Sequence, residues 1–533
     1  MNNEYWLTNV KRHHPFQPSN NEYAVQIQGN RIGDVLTMDY IKTHDITLNK
    51  AIDLQGSWIA PGFVDSHLHL LSYCQSLGFL KLEGLDREHI AEAVKSQTSR
   101  QPEKTWIKGR GWEMNKWKDG RVPDKLILDA VSPHHPVALS SKDGHSLWVN
   151  SNALDILNIQ NNIPDISGGV IFRRGETHEL AGVFQENAAD EVLRRIPQES
   201  KDAKTAKLMQ GIRNLHELGI TAVHTFDTYE RLMLYSELIK AKSLRLRVLG
   251  YFDVNDLETA IINELKTGQE QGYFTLGGLK LYADGALGSR TAAVTGNYTD
   301  EPQNYGTLIY SEEDLTGHCV QAADHQIATA IHAIGDRAVQ MSLNALSTVR
   351  CKHFDIRGLR IEHAQLIRPE DIRRFREYQI ALCIQPNHLL ADIEMVERYW
   401  TNQISNFYPY QSLHQSGCLL MFGSDAPIEP PDPLYNIQAA VTRQRLDGYP
   451  NDRGWIPQER LDLQSAINAT VWHPVLFERK QNRRGTIEKG KLADLVVLSG
   501  SPFDCNFREL REIKPVMTIM DGQIVFDRDS RSD

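Results

Sequence analysis

The sequence predicts an α/β fold: a (β/α)8 TIM-like barrel with an inserted subdomain after strand 1 and a small β-sandwich built from both termini. Three observations lead to this prediction. Short apolar strands alternate with helical stretches through the middle of the chain, one interval between strands far exceeds a crossover helix, and both ends of the chain are rich in strands.

Eight short apolar runs supply the candidate barrel strands. Helical stretches such as "LTGHCVQAADH" and "AVQMSLNALSTVR" fall between them, and eight strands alternating with helices favour a closed parallel barrel. The candidate strands are 58–67, 220–226, 246–252, 276–285, 327–335, 359–364, 380–386 and 418–427.

The inserted subdomain is predicted from one long interval. From His69 to His224 there are 155 residues (224 − 69), too many for a single crossover helix. The interval has strand and helix signals of its own, so we expect a subdomain at about 75–215, placed where it could cap the barrel mouth.

The two ends of the chain do not fit the barrel pattern. The segment "AVQIQGNRIGDVL" is typical of a hairpin with its turn at Gly29–Asn30, and "VMTIMDGQIVFD" near the other end has the same form. Residues 1–57 and 484–533 are therefore expected to form one composite β-sandwich domain, which leaves 58–483 for the barrel.

Composition excludes several function classes. A net charge of −10 leaves no basic stripe for nucleic acid, and no apolar run approaches the ~18 residues of a membrane span. The first residues lack the apolar core of a secretory signal, so a cytoplasmic protein is expected. Six scattered cysteines without CxxC pairs favour free thiols over a disulfide framework.

Polar residues collect at the carboxyl ends of the predicted strands, where the catalytic groups of such barrels lie. In "WIAPGFVDSHLHL", His67 and His69 are two residues apart and so face the same side of a strand. An HxH pair alone is weak, because it also occurs by chance on polar strand faces. Further imidazoles and acids at later strand ends predict a divalent metal ion, with zinc the ion these ligands favour. The other strand-end residues are His224, Lys280, His332, His363, Gln385, His388 and Asp425.

Lys280 is the unusual member of this set. A lysine in the apolar strand "GLKLYADG" is costly as a buried ammonium and repels a nearby cation. One interpretation is that the amine reaches solvent or pairs with Asp284. The other is carboxylation by carbon dioxide, which turns the amine into a carbamate whose two oxygens can bridge two metal ions.

Taken together, these motifs resemble the amidohydrolase superfamily, and within it the amidohydrolase-3 group of YtcJ-like proteins. The resemblance runs in order through nearly the whole chain. The matching segments include "APGFVDSHLHL", "GRGWEMNKW", "DGHSLWVNSNAL", "GLKLYADGALGSRTAAV", "IHAIGDRAV", "RIEHAQLI", "FGSDAPIEPPDPL" and "GTIEKGKLADLVVLS".

The resemblance implies a metal-dependent hydrolase of a non-peptide C–N bond in a small amide, N-acyl or N-formyl compound. It also implies one or two ions, a metal-activated hydroxide as nucleophile, and Asp425 as both ligand and general acid/base. An esterase or lactonase on the same site and a non-catalytic scaffold are the alternatives. The implied ligands are His67, His69, Lys280 (carboxylated), His332, His363 and Asp425.

Five further residues are candidates for substrate binding, each with a structural alternative. Trp112, Asp143 and His145 lie in the insertion and either line a pocket or brace the subdomain. Arg290 either binds a substrate carboxylate or pairs with an acid, and His388 follows strand seven, where it supports a ligand or contacts substrate. The expected partner is a small molecule, with homo-oligomerisation left open. His224 is interpreted as a satisfied histidine of the barrel core.

Overall fold

The computed structural model of the protein describes residues 4–16, 21–117, 121–142, 144–166, 168–400 and 403–529. The chain forms two compact units. One contains the described residues up to Leu71 together with those from Met209 onward, and the other is Ser72–Leu208.

The first unit contains the predicted barrel. Eight parallel strands pair in sequence order, and the circle closes where Leu68 of the first strand bridges to Ala426 after the last. The backbone N–H of Asp425 donates to the carbonyl of His67 at 2.7 Å, which links these two strand ends. Barrel strands 1 to 8 are Phe63–Leu68, Ile220–Asp227, Arg247–Asp253, Phe274–Tyr282, Thr329–Ala333, Arg360–His363, Ala381–Ile384 and Leu420–Phe422.

Helices connect these strands and cover the barrel. Several begin as the sequence leads one to expect: the Ser311 hydroxyl accepts the N–H of Asp314 at the start of Glu312–Asp324, and Pro386 occupies the first position of its helix. The helices of this unit, after the one that crosses the boundary at Lys201–Glu217, are Tyr229–Lys240, Leu257–Ile262, Glu312–Asp324, Asp336–Lys352, Ile372–Glu377, Pro386–Tyr399, Tyr410–Gln415, Pro433–Thr442, Leu463–Val471 and His473–Phe477.

Strands from both ends of the chain share one eight-stranded sheet in the same unit. Its two halves join where Trp58–Pro61 pairs antiparallel with Leu495–Leu498, and apolar side chains from both halves form one cluster. The remaining strands are Glu4–Arg12, Glu22–Gln28, Arg31–Thr37, Ala51–Asp53, Pro515–Met520 and Gln523–Asp527, with a short helix at Met38–Thr43.

The second unit has a six-stranded mixed sheet and its own apolar core, which includes Trp112, Trp117 and Trp148. Its strands are Leu80–Lys81, Ile107–Trp112, Val137–Ser141, Ser146–Val149, Gly169–Arg174 and Glu179–Glu186, and its helices are Arg87–Thr98, Lys125–Val131, Ser151–Ile156 and Asn187–Arg195, with Leu70–Ser76 at the boundary. Within the described ranges, no helix of either unit is both long enough and apolar enough to cross a membrane.

Candidate metal centre

Four histidines from three barrel strands meet at the carboxyl end of the barrel. His67 and His69 end strand 1, and their ring centroids lie 5.8 Å apart. The ring of His363, from strand 6, lies 4.8 Å from that of His67 and 4.7 Å from that of His332, from strand 5. The structure thus brings together the four imidazoles that the sequence singles out as ligands.

Each of these imidazoles has one ring nitrogen that forms a hydrogen bond to an acceptor oxygen of the protein. Because a carboxylate, a carbonyl or an amide oxygen cannot donate, that ring nitrogen must carry a proton, and in the neutral ring the lone pair is then on the other nitrogen. A neutral imidazole with one free nitrogen is the form that binds a metal ion. The four pairs are His67 Nδ1 with Glu362 Oε2 (2.6 Å), His69 Nδ1 with the Phe226 carbonyl (3.1 Å), His332 Nε2 with the Gly285 carbonyl (3.0 Å) and His363 Nδ1 with Gln385 Oε1 (2.8 Å).

Asp425 completes the cluster from the end of strand 8. Its Oδ1 lies 3.4 Å from Nε2 of His67 and 3.4 Å from Nε2 of His69. Two ligand atoms that are each about 2.1 Å from a tetrahedral ion are about 3.4 Å apart, so these separations suit a shared ion. Ligand atoms of His363, His388 and Asp425 form a second group, within 4.8 Å of one another.

The backbone at two of these residues adopts a conformation that L-amino acids avoid. Asp425 has φ 59° and His363 has φ 70°, and Ala364 follows at φ 45°. Such conformations cost free energy and are found most often where function requires a particular side-chain direction. At both strand ends the chain turns sharply just where a candidate ligand leaves the barrel wall.

Lys280 is the most isolated polar group of the cluster. It is 2% exposed, and its amine has no hydrogen-bond partner among the described residues. Its Nζ lies 4.2 Å from the ring centroid of Phe226. Burial lowers its pKa from 10.5 to about 8. Pairing with Asp284 does not occur, since that carboxylate accepts three backbone N–H groups instead.

The charge state of the cluster follows from burial and proximity. Burial alone would raise the pKa of Asp425, but His67 and then His69 outweigh it and hold the pKa well below its usual range. Burial, followed by repulsion from Lys280, lowers the pKa of His332 to about 3. At neutral pH the site therefore offers a carboxylate and a neutral imidazole, which suit a divalent cation.

Other buried groups hold the ligands in place. Asp65, two residues before His67 on strand 1, accepts the backbone N–H groups of His67 (3.1 Å) and Ser424 (3.0 Å), which ties strand 1 to strand 8. Asp336, which the sequence places near His332, instead accepts the backbone N–H of Thr295 at 2.8 Å.

The residues considered for substrate binding have the following surroundings. Trp112 is buried in the core of the second unit, where its indole N–H donates to the Leu139 carbonyl at 2.8 Å. In that unit, Nδ1 of His145 lies 2.9 Å from Glu186, and Asp143 lies outside the described residues.

Arg290 and His388 belong to the unit that contains the barrel. The Arg290 guanidinium lies 2.6 Å from Asp300 and 2.7 Å from Glu301, as in the acid-pairing alternative. The His388 ring is stacked parallel to His363 at 5.9 Å, with Nε2 3.7 Å from Asp425 Oδ2. A substrate role for the five residues remains a prediction.

Sequence reasoning did not single out Arg360 or Asp65. Arg360 is fully buried inside the barrel, where its Nη2 donates to Glu362 Oε2 at 2.6 Å. Asp65 stands two positions before His67, and Arg360 stands two positions before Glu362, so the period of two along a strand could have drawn attention to them.

Comparisons with known proteins agree with this geometry. The model of the amidohydrolase family Amidohydro_3 matches residues 50–526. YtcJ of Bacillus subtilis (strain 168) is 32% identical over 90% of this chain and 90% of its own. The N-substituted formamide deformylase of Arthrobacter pascens is 24% identical over 95% of both chains.

A solved structure shares the fold. The crystal structure of an uncharacterized metal-dependent hydrolase from Pyrococcus horikoshii OT3 superposes with a TM-score of 0.79 at 24% identity, covering 95% of this chain and 99% of that one.

Proposed function

Since the chain belongs to the amidohydrolase family, we propose that it is a metal-dependent hydrolase that cleaves a non-peptide C–N bond. The substrate class is a small amide, N-acyl or N-formyl compound. One observation carries the proposal: four imidazoles and a carboxylate converge at one end of the barrel, and each imidazole has one ring nitrogen already bound to a protein acceptor. The formamide deformylase among its relatives supports the choice of bond.

The donor set fits one or two divalent ions, and zinc is the ion we propose. Lys280 supports the bridged arrangement, because its buried amine lacks a partner among the described residues and carboxylation would give it two oxygens to share between ions. When bound, the metal supplies a water of lowered pKa and polarises the scissile carbonyl. The residues that would hold it are His67, His69, carboxylated Lys280, His332, His363 and Asp425.

In this proposal, Asp425 acts as the general acid/base. It is a buried carboxylate whose Oδ1 lies against His67 and His69, while Oδ2 points to the side of His388. It would take the proton of the attacking water and pass it to the leaving nitrogen, which must depart as a neutral amine. His388, whose buried Nε2 lacks a hydrogen-bond partner among the described residues, would donate to the substrate on that side.

The experiment is a hydrolysis panel on the full-length protein loaded with zinc. It compares N-formyl and N-acetyl amines with esters and lactones of matched size, each with and without a chelator. Faster, chelator-sensitive hydrolysis of the amides supports the proposal. Ester or lactone cleavage alone would replace it with the esterase alternative, and no turnover of any compound would favour a scaffold.

A variant pair assigns the acid/base. Asp425→Asn should lower kcat by at least about 100-fold, because general acid–base catalysis contributes about 10²–10⁴. Asp355→Asn, on an exposed carboxylate, is the matched control and should keep full activity. Full turnover by the Asp425 variant would overturn the assignment.

The organisation of the chain is part of the proposal. Residues 1–57 and 484–533 would form a composite β-sandwich domain, and residues 75–215 would form the inserted subdomain, of which the compact unit Ser72–Leu208 is the observed counterpart. All six cysteines are free thiols in the structure, which supports a reducing compartment such as the cytoplasm.

A further inference from the structure

We propose that His224 is a positioning residue for the metal centre: it holds Arg360, which holds Glu362, which sets the ring of His67. The inference rests on the proposed function, since His67 is a ligand only if the site binds metal. It gives His224 a role beyond that of a satisfied histidine in the barrel core.

The four side chains form a continuous line of hydrogen bonds inside the barrel. Glu362 Oε2 accepts from His67 Nδ1 at 2.6 Å and from Arg360 Nη2 at 2.6 Å, and Arg360 Nε donates to the other oxygen. Arg360 Nη1 donates to His224 Nδ1 at 2.9 Å. Glu362, Arg360 and His224 are each 0% exposed, so no surface water can take over one of these bonds.

The directions of these bonds are fixed by the chemistry of the groups. A guanidinium only donates, so Nδ1 of His224 must accept and its proton must sit on Nε2. That Nε2 lies 3.2 Å from Glu478 Oε1, a carboxylate that can only accept and that also pairs with Arg484. Glu478 therefore selects the His224 tautomer that Arg360 requires.

The hydrogen bond to His224 helps to fix the orientation of the Arg360 guanidinium. The acceptors of Arg360 are Glu362, the Ser66 carbonyl at 2.7 Å and His224. Its Cζ lies 5.5 Å from the ring centroid of Phe226 and 5.4 Å from those of Phe477 and Tyr251, and the Tyr251 hydroxyl makes no hydrogen bond among the described residues. Without the His224 acceptor, one buried N–H of a cation loses its partner, which favours rotation of the guanidinium towards the unpaired Tyr251 hydroxyl, together with the carboxylate bound to it.

Fold stability alone does not explain this arrangement. Buried ion pairs often add little stability over apolar side chains of similar volume. Groups behind a metal-binding histidine, in contrast, fix its tautomer and ring direction, and their loss typically costs about 10–100-fold in metal affinity or activity. His224 differs from the usual case only in acting through two intermediate side chains.

The test measures zinc affinity of the metal-free, full-length protein by competition with a chromophoric chelator. His224→Leu removes the acceptor and should weaken zinc binding by about 10–100-fold. His224→Asn, whose amide oxygen can replace Nδ1 as the acceptor of Arg360, should recover affinity to within about threefold. If His224 contributed only to the stability of the fold, His224→Asn would not recover the zinc affinity. His353→Leu, on a histidine outside the barrel core that pairs with Asp324, is the control and should bind as the wild type does.

A second variant covers the case in which His224→Leu does not fold. Glu478 lines a small cavity of about 20 Å³ at the amino-terminal side of the barrel, so water can enter the space left by its side chain in Glu478→Ala. This variant frees the His224 tautomer and should weaken zinc binding by at least about threefold. If folded His224→Leu or Glu478→Ala binds zinc with wild-type affinity, the inference about His224 is overturned, while the proposed function still stands. A wild-type protein that binds no zinc overturns the proposed function and the inference with it.

Discussion

Lys280→Met should make the metal-free protein more stable while it removes metal. The wild-type amine is 2% exposed and has no hydrogen-bond partner among the described residues. Burial lowers its pKa from 10.5 to about 8. The protonated form is thus less favourable in the folded than in the unfolded chain. The resulting cost is fully present below pH 8 and disappears as the pH rises past 10.5.

The size of the effect follows from that pKa. At about 1.4 kcal/mol per pKa unit, the fall from 10.5 to about 8 corresponds to about 3 kcal/mol at pH 7. Methionine has a similar unbranched stem and no charge to bury. We expect the free energy of unfolding of Lys280→Met to exceed that of the wild type by up to about 3 kcal/mol at pH 7 and by about 2 kcal/mol at pH 9.

The assay is urea unfolding of chelator-treated protein at both pH values, together with the metal content after reloading with zinc and bicarbonate. Reloaded Lys280→Met should hold at least one ion fewer than the wild type. Lys240→Met, on an exposed helix position, is the control and should change the unfolding free energy by no more than about 0.5 kcal/mol. A less stable Lys280→Met variant that keeps all its metal would refute the reasoning.

Three smaller predictions concern other residues. Burial lowers the pKa of His216, which is 4% exposed, to about 4, so protonation favours the unfolded chain as the pH falls from 6.5 towards 4. Between pH 7 and pH 5 the unfolding free energy of the wild type should fall by about 2 kcal/mol more than that of His216→Leu. Equal losses in the two proteins would contradict this prediction. Because Arg290 is occupied by Asp300 and Glu301, Arg290→Met should leave the ratio of kcat/KM for carboxylated and neutral substrates unchanged; a selective loss on the carboxylated ones would show that it binds substrate. If His388 donates to the substrate as we propose, His388→Phe should lower kcat by about 100-fold with little change in KM; an unchanged kcat would exclude that role.

The barrel was predictable because its signals are local. Short apolar runs mark the strands, and the alternation of side chains along a strand is enough to place His67 and His69 on one side. The carboxyl ends of parallel barrel strands meet at one end of the barrel. His332, His363 and Asp425 could therefore be grouped with His67 and His69 from sequence position alone.

The partners of these residues were not predictable in the same way. Glu362 is 295 residues from His67 along the chain, and Arg360 is 136 residues from His224. Such pairs depend on how side chains from different strands fill the barrel interior, which no local pattern encodes. Asp336 illustrates the difficulty, because it lies close to His332 in sequence and yet accepts from Thr295.

Metal content tests the central claim most directly. The measurement is plasma mass spectrometry on full-length protein purified without chelators and without a histidine tag. About two equivalents of zinc or a similar ion per chain are expected if carboxylated Lys280 bridges the site, and about one would keep the hydrolase but exclude that bridge. No bound metal, even after zinc and bicarbonate are supplied, would contradict a metal-dependent hydrolase.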